Sequence, residues 1–217
     1  MSREFGRILS GFFLGQGAMF LTQTWLLYKE QLPLIGAVGI GLGVVSLMQW
    51  SADLGGVYII SRNWGRENGL RQFWAHVCAR IVFSLVMIVS VLMVIPFLGL
   101  NKISNDVILF AMLVPFIWSF NSVGILDNQK INYLSGPLSG LSWLFASLAL
   151  GYSVVFDLGY VGQLVAIGFS LGMTLTVIVQ YLTLRRENID VEFQVVSVKF
   201  LIQSSLIIKY RVLFRSV

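Results

Sequence analysis

Residues 47–69 read LMQWSADLGGVYIISRNWGRENG: one aspartate, Asp53, inside an apolar run, then two glycines and a cluster of arginines. In a soluble domain such an aspartate sits in a turn. In lipid it needs a partner or water, because an isolated charge at depth costs at least ~2.5 kcal/mol. The rest of the chain decides between the two settings. Of its 217 residues, 57% are hydrophobic and 12% are charged, against a charged share of about 25% in soluble domains. Mean hydropathy is +0.82. Several uncharged runs reach the ~20 residues that a helix needs to cross a bilayer. The expected fold class is therefore an all-α integral membrane protein, with six transmembrane helices forming one bundle and a short cytoplasmic amphipathic tail.

The six candidate spans, uncharged apart from Asp53 and Arg80, are 8–28, 33–60, 77–98, 107–126, 134–156 and 158–184. Short polar breaks separate them (KEQL, NKISND, DNQKIN and little more than Asp157), and the longer loop SRNWGRENGLRQF lies between the second and third. Short breaks make consecutive helices antiparallel neighbours. The first run follows Arg3 and Arg7 and has 21 uncharged residues. That exceeds the ~7–15 of a signal-peptide core, so it reads as a retained span. Of the 15 Lys and Arg residues, all but Lys29 and Lys102 fall on one side if both termini are cytoplasmic. This is the bias that basic inner loops produce, and it accounts for the +5 net charge without a nucleic-acid partner. Cys78 and His76 are single residues of their kind, so the sequence offers no disulfide framework or multi-histidine metal site, and no cofactor is expected.

Asp53 lies nine residues before Arg62, and Arg80 nine residues after Arg71. At ~1.5 Å per helical residue both sit roughly 13 Å from the basic loop. Equal depth on adjacent antiparallel helices predicts an Asp53–Arg80 ion pair. Two readings of these residues stand. In one, Arg80 reaches to the headgroups and Asp53 caps a helix break at DLGG. In the other, both face a wet cavity open to the cytoplasm, where Asp53 takes up a proton or positions a coupling ion and Arg80 attracts an anionic group. Gln16, Gln23, Gln49, Asn121, Gln163 and Gln180 also lie within the runs, as expected of interhelical hydrogen-bond partners. Trp50, Trp118 and Trp143 are read as belt anchors or packing, with stacking on sugar faces as the alternative. The pairs Gly11/Gly15, Gly39/Gly43, Gly136/Gly140 and Gly168/Gly172 are candidates for close helix contact.

Three segments resemble a known family. REFGRILSGFFLGQGAMFLTQTWLLY is similar to the first helix of polysaccharide transporters, the Wzx-type O-antigen flippases of the multidrug/oligosaccharidyl-lipid/polysaccharide exporter superfamily. ADLGGVYIISRNWGRENG resembles that family's D-[FL]-G…R passage into the first cytoplasmic loop, and NSVGILDNQKINYLSGPLSGLSWL its link from helix four to helix five. The resemblance covers residues 3–185. It implies translocation of an undecaprenyl-diphosphate-linked oligosaccharide across a bacterial inner membrane, by two six-helix bundles that rock around a cationic cavity. Asp53 and Arg62 fall on the motif; Arg66, Arg71 and Arg80 are candidate diphosphate contacts by charge and depth, and Trp50 is the candidate sugar contact.

Against the family's two bundles, one is expected here, residues 1–186. Residues 187–217 form a cytoplasmic or interfacial tail whose apolar part, 195–208, is too short to span ~30 Å; it reads either as a surface helix or as the truncated start of a second bundle. A lone bundle implies pairing with a second copy or a separate second bundle, or no activity; the other partners implied are membrane lipids, the lipid-linked oligosaccharide and polysaccharide assembly proteins. The alternatives are a transporter or channel subunit for ions or small molecules and, less well supported, a membrane-embedded lipid-sugar or acyl transferase. For the transferase, the sequence supplies no constellation of base, nucleophile and metal.

Overall fold

The computed structural model describes residues 2–65, 68–131 and 135–191. Among these the chain is helical with no strand. In order, the helices are α1 (Ser2–Tyr28), α2 (Leu32–Asp53), α3 (Gly56–Asn63), α4 (Gly69–Val94, continued by a 3-10 turn at Ile95–Phe97), α5 (Lys102–Phe110), α6 (Val114–Trp118), α7 (Val123–Asn128), α8 (Ser135–Val155) and α9 (Val161–Arg186). Three helical stretches, Leu32–Asn63, Gly69–Phe97 and Val161–Arg186, are long and apolar enough to cross a membrane. The apolar part of α8, Gly140–Val155, is shorter. The tail at 195–208 lies outside the described residues.

The turns share one construction. Glu30, Lys130, Asp157 and Asn188 each adopt a left-handed φ of 48 to 60°. The following N–H in each case reaches back to a carbonyl five residues earlier: Gln31 to Leu26, Ile131 to Leu126, Leu158 to Ser153 and Ile189 to Leu184. This is the cap that gathers the orphan carbonyls of a helix end. Here polar residues, rather than glycine, take the left-handed position.

Two expected helices are not continuous rods. The second run breaks at Leu54 (φ 51°) and Gly55 (φ 69°), dividing α2 from α3. The fourth run is three short helices. Pro115 stands in the first turn of α6, where its missing N–H and its ring are incompatible with a helix continuing from residue 111. After Trp118 the chain breaks again through Ser119–Ser122. None of these pieces spans a bilayer alone. The helix of the third run begins at Gly69 rather than 77, because Arg71 and His76 end an apolar run but not a helix.

Glycine sets the closest contacts. A β-carbon on Gly15 would collide with the Gly140 backbone and one on Gly140 with the Gly11 carbonyl, which seats α1 against α8. A β-carbon on Gly168 would stand 2.7 Å from the Phe145 carbonyl oxygen, and one on Gly172 2.6 Å from that of Leu141, which seats α9 on α8. Gly39 and Gly43 face open space, so this pair makes no close contact within the described chain. Two apolar cores result. One gathers residues such as Leu26, Val38, Val45, Val107, Leu150 and Phe169. The other, at the arginine-bearing end, gathers Ile60, Phe73, Val77, Ile125, Leu126 and Leu184.

Candidate functional site

The break at DLGG is built around Arg80. The guanidinium, on α4, has no exposed surface. Its Nη2 donates to Asp53 Oδ1 at 2.6 Å, its Nε to the Asp53 carbonyl at 3.3 Å, and its Nη1 to the Asn121 carbonyl at 3.2 Å. The expected ion pair is therefore present, and it has a second task. Both backbone acceptors lie at helix breaks, one closing α2 and the other preceding α7, where carbonyls lose their intrahelical donors. One planar cation reaches the carboxylate and both freed carbonyls, which suits the five-donor fork of arginine.

Neighbouring residues complete the clamp. A β-carbon on Gly56 would run into the Arg80 guanidinium and stand 2.5 Å from His76 Cδ2, so glycine is required where α3 begins. On the second broken helix, Gln180 Oε1 accepts from Ser122 N–H at 2.9 Å, and Ser84 Oγ donates to the Pro115 carbonyl at 3.0 Å. Gly124 brings α7 against α3, with its would-be β-carbon 2.6 Å from the Val57 carbonyl oxygen. Irregular backbone needs protein or a cavity around it wherever water is excluded, and these partners surround both breaks. His76 Nε2, Asn121 Nδ2, Gln180 Nε2 and Tyr181 Oη are buried with no hydrogen-bond partner among the described residues.

A cavity of about 290 Å³ adjoins the break. From α2 it takes Ser46, Gln49 and Trp50, and Trp50 precedes Asp53 by one turn. Trp118 of α6, one turn before Asn121, lines it too, as do Ser142 and Trp143 of α8 and Thr176 of α9. Gln16 of α1 closes the lining. The three tryptophans that the sequence scatters over three helices thus meet around one space. Trp143 is braced edge-on by Phe169, with ring centroids 5.4 Å apart at 81°. Trp50 is 73% exposed and stands at the rim. Among the described residues, none that lines the wall is charged.

The other expected site residues lie elsewhere. Arg62 is exposed in the last turn of α3, where a cation complements the helix dipole. Arg71, in the first turn of α4, is half-buried and engaged by a neighbour. Neither lines the cavity or joins the ion pair. Arg66 lies outside the described residues. A wider groove of about 720 Å³ runs beside the end of α9, where Tyr181, Arg185, Asn188 and Asp190 interrupt an apolar wall. The sequence offers Trp118 and Trp143, like Trp50, as sugar-stacking residues only as the alternative to packing, and it does not place the three together; the meeting of separate helices does. Among the described residues, no group of three or more His, Cys, Asp or Glu side chains is placed to hold a metal ion. No protein-family model, curated protein or solved structure matches this chain.

Proposed function

We propose that the chain is a six-span transporter bundle of a bacterial inner membrane, with both termini cytoplasmic, that takes part in moving an undecaprenyl-diphosphate-linked oligosaccharide between leaflets. The observation that carries this reading is the uncharged, tryptophan-walled cavity beside two broken helices, among helices apolar enough to lie in lipid. Discontinuous helices at depth commonly form the substrate sites of secondary transporters. Aromatic faces with amide and hydroxyl groups suit a glycan better than an acyl chain. The quoted family resemblance supplies the lipid carrier, and a second copy or a separate bundle would complete the path.

The test is translocation in inside-out vesicles that carry a fluorescent lipid-linked oligosaccharide. Protein-dependent transfer without covalent change supports the proposal. Product formation would replace it with the transferase reading. A second reading, a transporter of small molecules, draws on the cavity's volume of about 290 Å³, at the low end of ligand pockets. Uptake of a free solute with no movement of the lipid-linked substrate would select it.

A further inference from the structure

We infer that the tryptophan-walled cavity is a subsite for one uncharged sugar ring, and that the diphosphate of a lipid-linked substrate is held elsewhere. The inference rests on the translocation reading only for the source of the sugar; its test does not.

Charge is the first discriminator. A diphosphate needs cations, and none lines the cavity among the described residues. A cationic ligand would fit an aromatic cage, but such cages gain from a free carboxylate. The carboxylate nearest in sequence, Asp53, is neutralised by the fully buried Arg80 at 2.6 Å. The space is therefore close to electrically neutral, and so is the ligand it fits.

The second discriminator is hydrogen bonding. Gln49 is 8% exposed, and it lines the cavity together with the exposed Gln16. Ser46 Oγ is buried without a partner among the described residues. A purely apolar ligand would leave these groups unmatched, at a cost that discriminates strongly. Each glutamine amide offers donors and an acceptor side by side, the complement of neighbouring hydroxyls on a pyranose. The tryptophan faces match the C–H face of the same ring. Size is the third discriminator: about 290 Å³ holds a ring, not an oligosaccharide.

The experiment uses the full chain in lipid nanodiscs, without glycoside detergents, and reads tryptophan fluorescence. The probes are neutral methyl hexosides and N-acetylhexosaminides, a methyl uronate, inorganic pyrophosphate and a tetraalkylammonium salt. Saturable quenching by at least one neutral glycoside is expected, with the charged probes at least about tenfold weaker. Gln49→Leu and Trp50→Ala should each weaken the neutral glycoside about tenfold or more, with the melting temperature of Trp50→Ala unchanged; because Trp50 is itself a reporter, calorimetry repeats that comparison. No saturable response to any neutral glycoside, preference for pyrophosphate or the ammonium salt, or wild-type affinity in both variants would overturn the subsite. Glycoside binding without lipid-linked translocation keeps the subsite and removes the transport reading, whereas translocation without glycoside binding does the reverse.

Discussion

The clamp at residues 53–56 and the cavity one helical turn away differ in what their polar groups do. In the clamp, the carboxylate, the guanidinium and two backbone carbonyls already serve one another. In the cavity, the Ser46 hydroxyl is buried with no partner among the described residues, and two glutamine side chains line the space beside it. The more conspicuous residues in the sequence are thus committed to holding a broken backbone, and the less conspicuous ones remain open to a ligand. A charge buried in a membrane protein first needs an account of the backbone around it; binding is better sought among polar groups whose bonds are unmade.

The largest effect expected from this contrast is at Arg80. Arg80→Met leaves Asp53 without its partner and removes the donors to two carbonyls. Breaking a buried pair costs about 3–5 kcal/mol, so folded yield and melting temperature should fall steeply. A charge exchange, Asp53→Arg with Arg80→Asp, sharpens the point. If only the pair mattered, the exchange would restore stability. The clamp predicts no restoration, because an aspartate at position 80 directs acceptors, not donors, at the Asp53 and Asn121 carbonyls. A double variant that melts like wild type in detergent would reduce the clamp to a simple ion pair.

Next in size is Gly56→Ala, which forces a methyl group into the guanidinium and should cost about 1–3 kcal/mol as overpacking. Gly15→Leu makes the same kind of clash at the α1–α8 contact. Gly43→Leu, in open space, is the matched control and should stay within about 0.5 kcal/mol. Equal losses at Gly15 and Gly43 would show that the small-residue spacing, not the local contact, governs tolerance. Similar in size to Gly56→Ala is Gln180→Leu, which strips the acceptor from Ser122 N–H and should cost about 1–3 kcal/mol; a loss near zero would show that another acceptor replaces it.

How much of this was legible in the sequence follows from which interactions have a sequence signature. The Asp53–Arg80 pair did, because equal counts from one loop place two charges at equal depth on antiparallel helices. The DLGG break was visible only as one of two readings, through its glycines, within a run expected to form one span. The Asn121 carbonyl was not, since every residue carries one and only folding shows which is orphaned. The split of the fourth run was half-visible through Pro115, whereas the break at Ser119–Ser122 depends on Gln180 reaching over from α9. The meeting of Trp50, Trp118 and Trp143 was hidden for a geometric reason. Helix rotation about its own axis decides which side chains converge, and a sequence without strong amphipathicity leaves that rotation open. Arg62 and Arg71 drew attention as charges, yet charge alone does not place a residue in a cavity.

The smallest stability effect is expected at Trp50. Truncating a tryptophan in a packed core costs about 3–5 kcal/mol, but this ring is 73% exposed and forms a rim. Trp50→Ala should therefore change the melting temperature little, whereas Trp143→Ala, which removes a ring packed against the core and braced on Phe169, should lower it clearly. The two rings border the same space, so a difference between them separates structural from ligand-directed aromatics within one cavity. Matching losses would place Trp50 with the packing residues and leave the cavity with a single wall of its own.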